Sequence, residues 1–159
     1  MAIKPVPDGY RTVTPYLIIS GAADALEFYK RALGAIELMR LGGPDGKVGH
    51  AEILVGDSRI MLADEFQDMG FRSPHTLGGA GVSLMLYVED ADKLFAQAIA
   101  AGAIELRPVK DQFYGDRSGT LRDPFGHVWT LATHIEDVSV DEVHRRAEAC
   151  FKTPPTEAS

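Results

Sequence analysis

The sequence predicts an α+β fold of two tandem β-α-β-β-β modules whose strands form a curved, cup-like mixed sheet. Three observations predict it. The pentapeptide Gly-Ala-Ile-Glu-Leu occurs at residues 34–38 and again at 102–106, 68 residues later. An amphipathic stretch precedes each copy, at 24–33 and 92–101. Matching strand-like runs frame both copies: 16–19 stands 69 residues before 85–88, and 59–63 stands 69 before 128–132. Three blocks in one order at nearly one offset mark a duplicated unit.

In the first module, 13–19 alternates β-branched and larger residues and predicts a strand. A helix over 22–33 puts Ala25, Leu26, Tyr29 and Leu33 on one face at the 3.6 period. Gly34 follows where such a helix needs a left-handed residue. A strand over 36–40, a turn cluster at 42–46, and a hairpin of 48–55 with 58–63 about Gly56-Asp57 complete the unit. The second module repeats the order. Strand 82–88 leads to helix 91–101, capped by Asp90 and ended by Gly102. Strands follow near 104–108, 119–122 and 127–133, the last two joined by the turn Asp123-Pro124-Phe125-Gly126. Residues 66–81, rich in Gly, Pro and Ser, read as a linker or pocket-covering loop. Ser139-Val140-Asp141-Glu142 is a capping box that opens a polar helix to about Phe151, with 152–159 frayed. The predicted layout is one domain over 1–137, with repeats at 12–65 and 82–135, then a helix and tail over 138–159.

Composition narrows the classes. A chain of 159 residues buries a full core without staples. An apolar fraction of 45% and a mean hydropathy of -0.06 are ordinary globular values. No apolar run is long enough for a membrane helix, and the opening residues lack the pattern of a signal peptide. The single cysteine, Cys150, rules out an internal disulfide framework and suits the cytoplasm. It has no companion suggesting activation. A net charge of -7 offers no footprint for a phosphate backbone, so neither nucleic acid nor a membrane is an expected partner.

Several runs, taken together, resemble the vicinal-oxygen-chelate superfamily of glyoxalases, extradiol dioxygenases, fosfomycin-resistance enzymes and bleomycin-resistance proteins, and most of all its PhnB-like branch. They are Thr14-Pro15-Tyr16-Leu17, Glu27-Phe28-Tyr29-Lys30 with Leu33-Gly34-Ala35, His50-Ala51-Glu52, and Ile60 to Glu65. Tyr114-Gly115-Asp116-Arg117, Asp123 to Trp129, Glu136 to Ser139 and Arg145-Arg146 continue the likeness. It runs from about Thr12 to Arg146. The resemblance implies an open cup holding a small organic ligand between strands, often in an intertwined homodimer. It also implies metal-ligand positions on the concave face at Thr14, Met61, Ser83 and Thr130. None of these is His, Asp, Glu or Cys, and hydroxyls with a thioether make a poor divalent site. The expectation is therefore no cofactor. His50 and Glu52, on one strand face at period two, are the alternative as two ligands of a divalent metal.

Strand parity extended from Thr14 predicts the cup lining. It comprises Thr14, Tyr16 and Ile18; His50, Glu52, Leu54, Arg59 and Met61; Ser83, Met85 and Tyr87; and Val128, Thr130 and Ala132. The other face, with Leu17, Ile19, Ile53, Ile60, Leu84, Leu86, Trp129 and Leu131, reads as core. In the loop before the seventh strand, Arg117 is a candidate clamp for an anionic group and Tyr114 a candidate stacking residue; the equal alternative is an Asp116–Arg117 surface turn with Tyr114 as a lid on the core. The ligand-binding expectation thus rests on Tyr16, His50, Glu52, Arg59, Met61, Met85, Tyr87, Tyr114, Arg117 and Thr130. His50 and Glu52 are also the candidates for acid–base work, with burial expected to raise Glu52 toward neutrality. The leading reading is a metal-independent small-molecule binding protein. The alternative is a metal-dependent lyase, isomerase or transferase of glyoxalase type using His50 and Glu52. A third is a structural protein whose cup is filled by 66–81.

Overall fold

The structure, a computed structural model, describes residues 2–152. Each half contributes one four-stranded mixed sheet. The first contains β1 (Tyr16–Ile19), β2 (Ile36–Gly42), β3 (Val48–Val55) and β4 (Ser58–Asp64), in the order β1-β4-β3-β2. The second contains β5 (Ser83–Tyr87), β6 (Ile104–Asp111), β7 (Asp116–Arg122) and β8 (Val128–His134), in the order β5-β8-β7-β6. In each, the first strand pairs parallel with the last and the other pairs are antiparallel. Together they form a curved, open sheet of mixed α+β architecture. The helices α1 (Ala22–Leu33) and α3 (Ala91–Ala101) pack against each other and occupy the predicted ranges.

Both helices start in the same way. The buried Asp64, at the end of β4, accepts from the amides of Gly21 and Ala22. Its other oxygen accepts from Val48. Thr133, 69 residues on, accepts from the Ala91 amide and donates to the Val88 carbonyl. Each helix is thus capped from its own module's last strand, which in α1 makes up for Gly21 having no side chain to do so. Asp90 adds the predicted bond to the Lys93 amide. At the far end Gly34 has φ 66°, the left-handed conformation expected of it.

The core lies between helices and sheets, and strand parity places it correctly. Leu17, Ile19, Ile53, Ile60, Trp129 and Leu131 are buried, while Leu84 and Leu86 are half-buried against them. Ala132, assigned to the lining, is fully buried. The two halves are locked by Asp123, whose Oδ2 accepts from Tyr29 of α1 at 2.6 Å and from Trp129 Nε1 at 2.8 Å.

Several boundaries differ from expectation. β1 begins only at Tyr16, because Pro15 has no N–H and merely accepts from Met61. β6 runs through Pro108 to Asp111, tolerated because it is an edge strand with an irregular register there. β7 starts at Asp116, earlier than predicted. Residues 66–81 contain a 3-10 turn (Gln67–Met69) and the four-residue helix α2 (Pro74–Leu77). The final helix, α4 (Val140–Lys152), is capped at Ser139 as predicted and moored by Arg146 to Glu136 and the Phe113 carbonyl. Of the tail predicted to fray, 153–159 lie outside the described residues.

Candidate functional site

On the first sheet, the predicted lining residues converge into one hydrogen-bonded chain. Tyr10, from the segment before β1, donates its phenol proton to Glu52 Oε2. Glu52 Oε1 lies 3.1 Å from His50 Nε2, and His50 Nδ1 lies 2.8 Å from the Tyr16 hydroxyl. A carboxylate only accepts, so Nε2 carries a proton; in the neutral ring Nδ1 is then left to accept from Tyr16. Arg59 completes the group, with its guanidinium 4.8 Å from the centre of the Tyr10 ring. The register makes this arrangement: Glu52 pairs with Met61, which pairs with Tyr16, and His50 is two residues along the same face.

The electrostatics reverse one expectation. The Tyr10 hydrogen bond, then that of His50, hold Glu52 below the ordinary carboxylate range, outweighing the burial expected to raise it. The same bond to Glu52 raises Tyr10, while burial and then the Glu52 charge raise Tyr16.

A cavity opens on each side of this chain. One, of about 470 Å³, is walled by Tyr16, Ile18 and Ala63 of the sheet and by Phe66, Met69 and Phe71 of the linker. The linker therefore lines the space rather than filling it. The other, about 410 Å³, lies between the N-terminal segment and Thr14, Glu52 and Met61. Phe66, Met69 and Phe71 belong to the segment read as a linker or pocket-covering loop, but neither they nor Tyr10 were singled out, since segments without periodicity give no sign of the face they cross.

The remaining candidates lie on the second half. Tyr87 donates to the buried Asp116 at 2.8 Å, and Asp116 in turn meets His134 Nδ1 at 2.9 Å. The Thr130 and Thr120 hydroxyls are 2.9 Å apart, and Met85 is exposed. Tyr114 packs edge-on against Phe113. Arg117 points the other way: odd parity in β7 turns it toward Asp92 of α3, which it meets with two bonds, and toward Asp111 at the end of β6. Among the described residues no hydrogen bond, ion pair or ring contact joins this group to the chain on the first sheet. Arg59 and Met85 only share the walls of a 240 Å³ cleft between the sheets.

The family model for the glyoxalase/bleomycin resistance protein/dioxygenase superfamily matches residues 12–131. The chain belongs to this superfamily. It is similar to the protein Mb0911c of Mycobacterium bovis, at 40% identity over 146 residues, covering 90% of this chain and 93% of that one. Among solved structures it resembles TioX from Micromonospora sp. ML1 (24% identity, TM-score 0.60, 81% of this chain and 100% of that one). It also resembles the PhnB protein from Bacillus cereus (20%, TM-score 0.58, 77% and 99%). Both likenesses concern the fold, and the PhnB protein is one of several such neighbours.

The superfamily positions tested for a metal are neutral here. The Thr14 hydroxyl is 3.4 Å from the Arg11 carbonyl, Thr130 is engaged with Thr120, and Met61 and Ser83 offer a thioether and a hydroxyl. This donor set does not fit a divalent ion. His50 and Glu52 are two donors, already bonded to Tyr16 and Tyr10. Among the described residues no three His, Cys, Asp or Glu side chains form a metal-holding group.

Proposed function

We propose that the protein binds a small, largely aromatic organic ligand on the concave face of its first sheet, without the superfamily's standard metal centre. The observation that carries this is the 470 Å³ apolar cavity whose wall includes Tyr16, the end of the Tyr16–His50–Glu52–Tyr10 chain. Apolar walls with a few convergent polar groups are the usual make-up of a ligand site. Thermal-shift and calorimetric screening against aromatic metabolites and antibiotics tests it. Saturable binding that Phe71→Ala and Tyr16→Phe weaken is expected; aromatic ligands that bind neither variant nor parent overturn it.

The chain itself favours one second reading, an enzyme of glyoxalase type. His50, held between a carboxylate and a phenol, is arranged to act as a general base, taking the Tyr16 hydroxyl proton as Tyr16 takes one from a substrate group. Near-stoichiometric zinc, nickel or manganese in protein purified without chelator would favour the metal-dependent version.

The proposal includes a homodimer in the cytoplasm. Ile36, Leu38 and Leu41 of β2 and Ile104 and Leu106 of β6 are exposed on edge strands, an apolar flank that a second copy would cover. Light scattering should report twice the 17.2 kDa chain mass; a monomer at micromolar concentration overturns this part.

A further inference from the structure

The segment that supplies Tyr10 is an arm over residues 2–14 with no helix and no strand pairing. Among the described residues its backbone makes one backbone–backbone bond, from the Tyr10 amide to the Pro7 carbonyl, and the Tyr10 and Arg11 carbonyls accept only from the arm's own Arg11 and Thr14 side chains. Its grip on the sheet is the Tyr10 side chain, which gives a proton to Glu52 and lays its ring against Arg59. Gly9 fits closely beneath the same arginine: a Cβ there would stand 2.7 Å from Arg59 Nε, and φ is +84°. Behind the ring lies the 410 Å³ cavity, bounded by Pro5, Val6 and Pro7 on the arm side and Glu52 and Met61 on the sheet side.

Resting on the ligand-binding reading, we propose that Tyr10 is a built-in stand-in for the ligand. The site takes an aryl alcohol whose hydroxyl donates to Glu52 and whose ring lies against Arg59, displacing Tyr10 and its arm. An ionised carboxylate accepts only, so the group that replaces Tyr10 must bring a donor. A guanidinium beside it favours the face of an aromatic ring. A cavity of this size accommodates one or two fused rings. The arm is a tethered competitor, present at a high effective concentration, and Tyr10 is what makes it compete.

The test titrates 2-naphthol and its methyl ether, which lacks the donor, into the full chain, Tyr10→Ala and Glu52→Gln. 2-Naphthol should bind Tyr10→Ala about tenfold more tightly than the parent, the gain expected if the arm is docked about nine-tenths of the time. The ether should gain much less, and Glu52→Gln should erase the preference for the alcohol. Equal affinities for both probes in every variant, or no change with Tyr10→Ala, overturns the proposal. If those results come with binding that Phe71→Ala weakens, the ligand-binding reading stands while this one fails. If neither probe binds any form, both fail.

Discussion

At Asp123 four donors converge on one buried carboxylate: the Tyr29 hydroxyl, the Trp129 indole, and the amides of Phe125 and His127. Burial, then the charge beside it, push the Tyr29 phenol well above its ordinary value. Asp123→Ala strands all four donors and should cost about 3–5 kcal/mol in urea unfolding, whereas Tyr29→Phe should cost about 1.5–3 kcal/mol. Glu65 makes a different prediction. The Ser73 amide and hydroxyl, with Thr76 and Gln67, bring its pKa down to about 2. A depressed folded pKa means its hold on the linker is complete above about pH 4.5 and is lost as pH falls toward 2. Limited proteolysis of 66–81 should therefore accelerate across that window in the parent, and Glu65→Gln should flatten the dependence.

Elements show where sequence reasoning succeeds. α1 and α3 were legible to the residue because period and terminal glycine agree in each, with the Asp90 cap as a further signal in α3. The edge strand β6 was cut short at Pro108, since a proline reads as a stop unless the edge position is known. The turn before β7 was harder still. Gly115 has φ +101°, and a Cβ there would stand 2.2 Å from the Glu136 carbonyl oxygen. The Gly115 carbonyl accepts from both Ile135 and Glu136, so this turn anchors the chain leaving β8. Gly115→Ala should destabilise by about 2 kcal/mol or more, read as a lower urea midpoint. His134 tightens the same junction, raised by hydrogen bonds to Asp137 and then Asp116. Its contribution is full below pH 6.5 and lost as pH rises through the elevated folded value. Amide exchange at residues 135–138 should therefore quicken on the alkaline side by more than base catalysis alone, an excess absent in His134→Ala.

For the molecule as a whole, the repeat exposed the fold because duplication leaves matching residues at a fixed offset. Of the candidate site, parity put Tyr16, His50, Glu52 and Met61 on one face of the first sheet, where they do sit together, but could not bring in Tyr10 from an unpaired arm. Arg117, weighed as a clamp, is turned toward α3 by a strand that starts three residues earlier than expected. The caps at Asp64 and Thr133 carry a consequence for folding. Each closes a contact across 42 residues of chain. The first turn of α1, which has no local side-chain cap, is capped only once the chain has come back through its hairpin, whereas α3 also has the local Asp90 cap, so long-range closure weighs more on α1. The first half should therefore gain its helix and its ladder in one concerted step, and a fragment lacking β4 should leave α1 more frayed than α3 is in a fragment lacking β8.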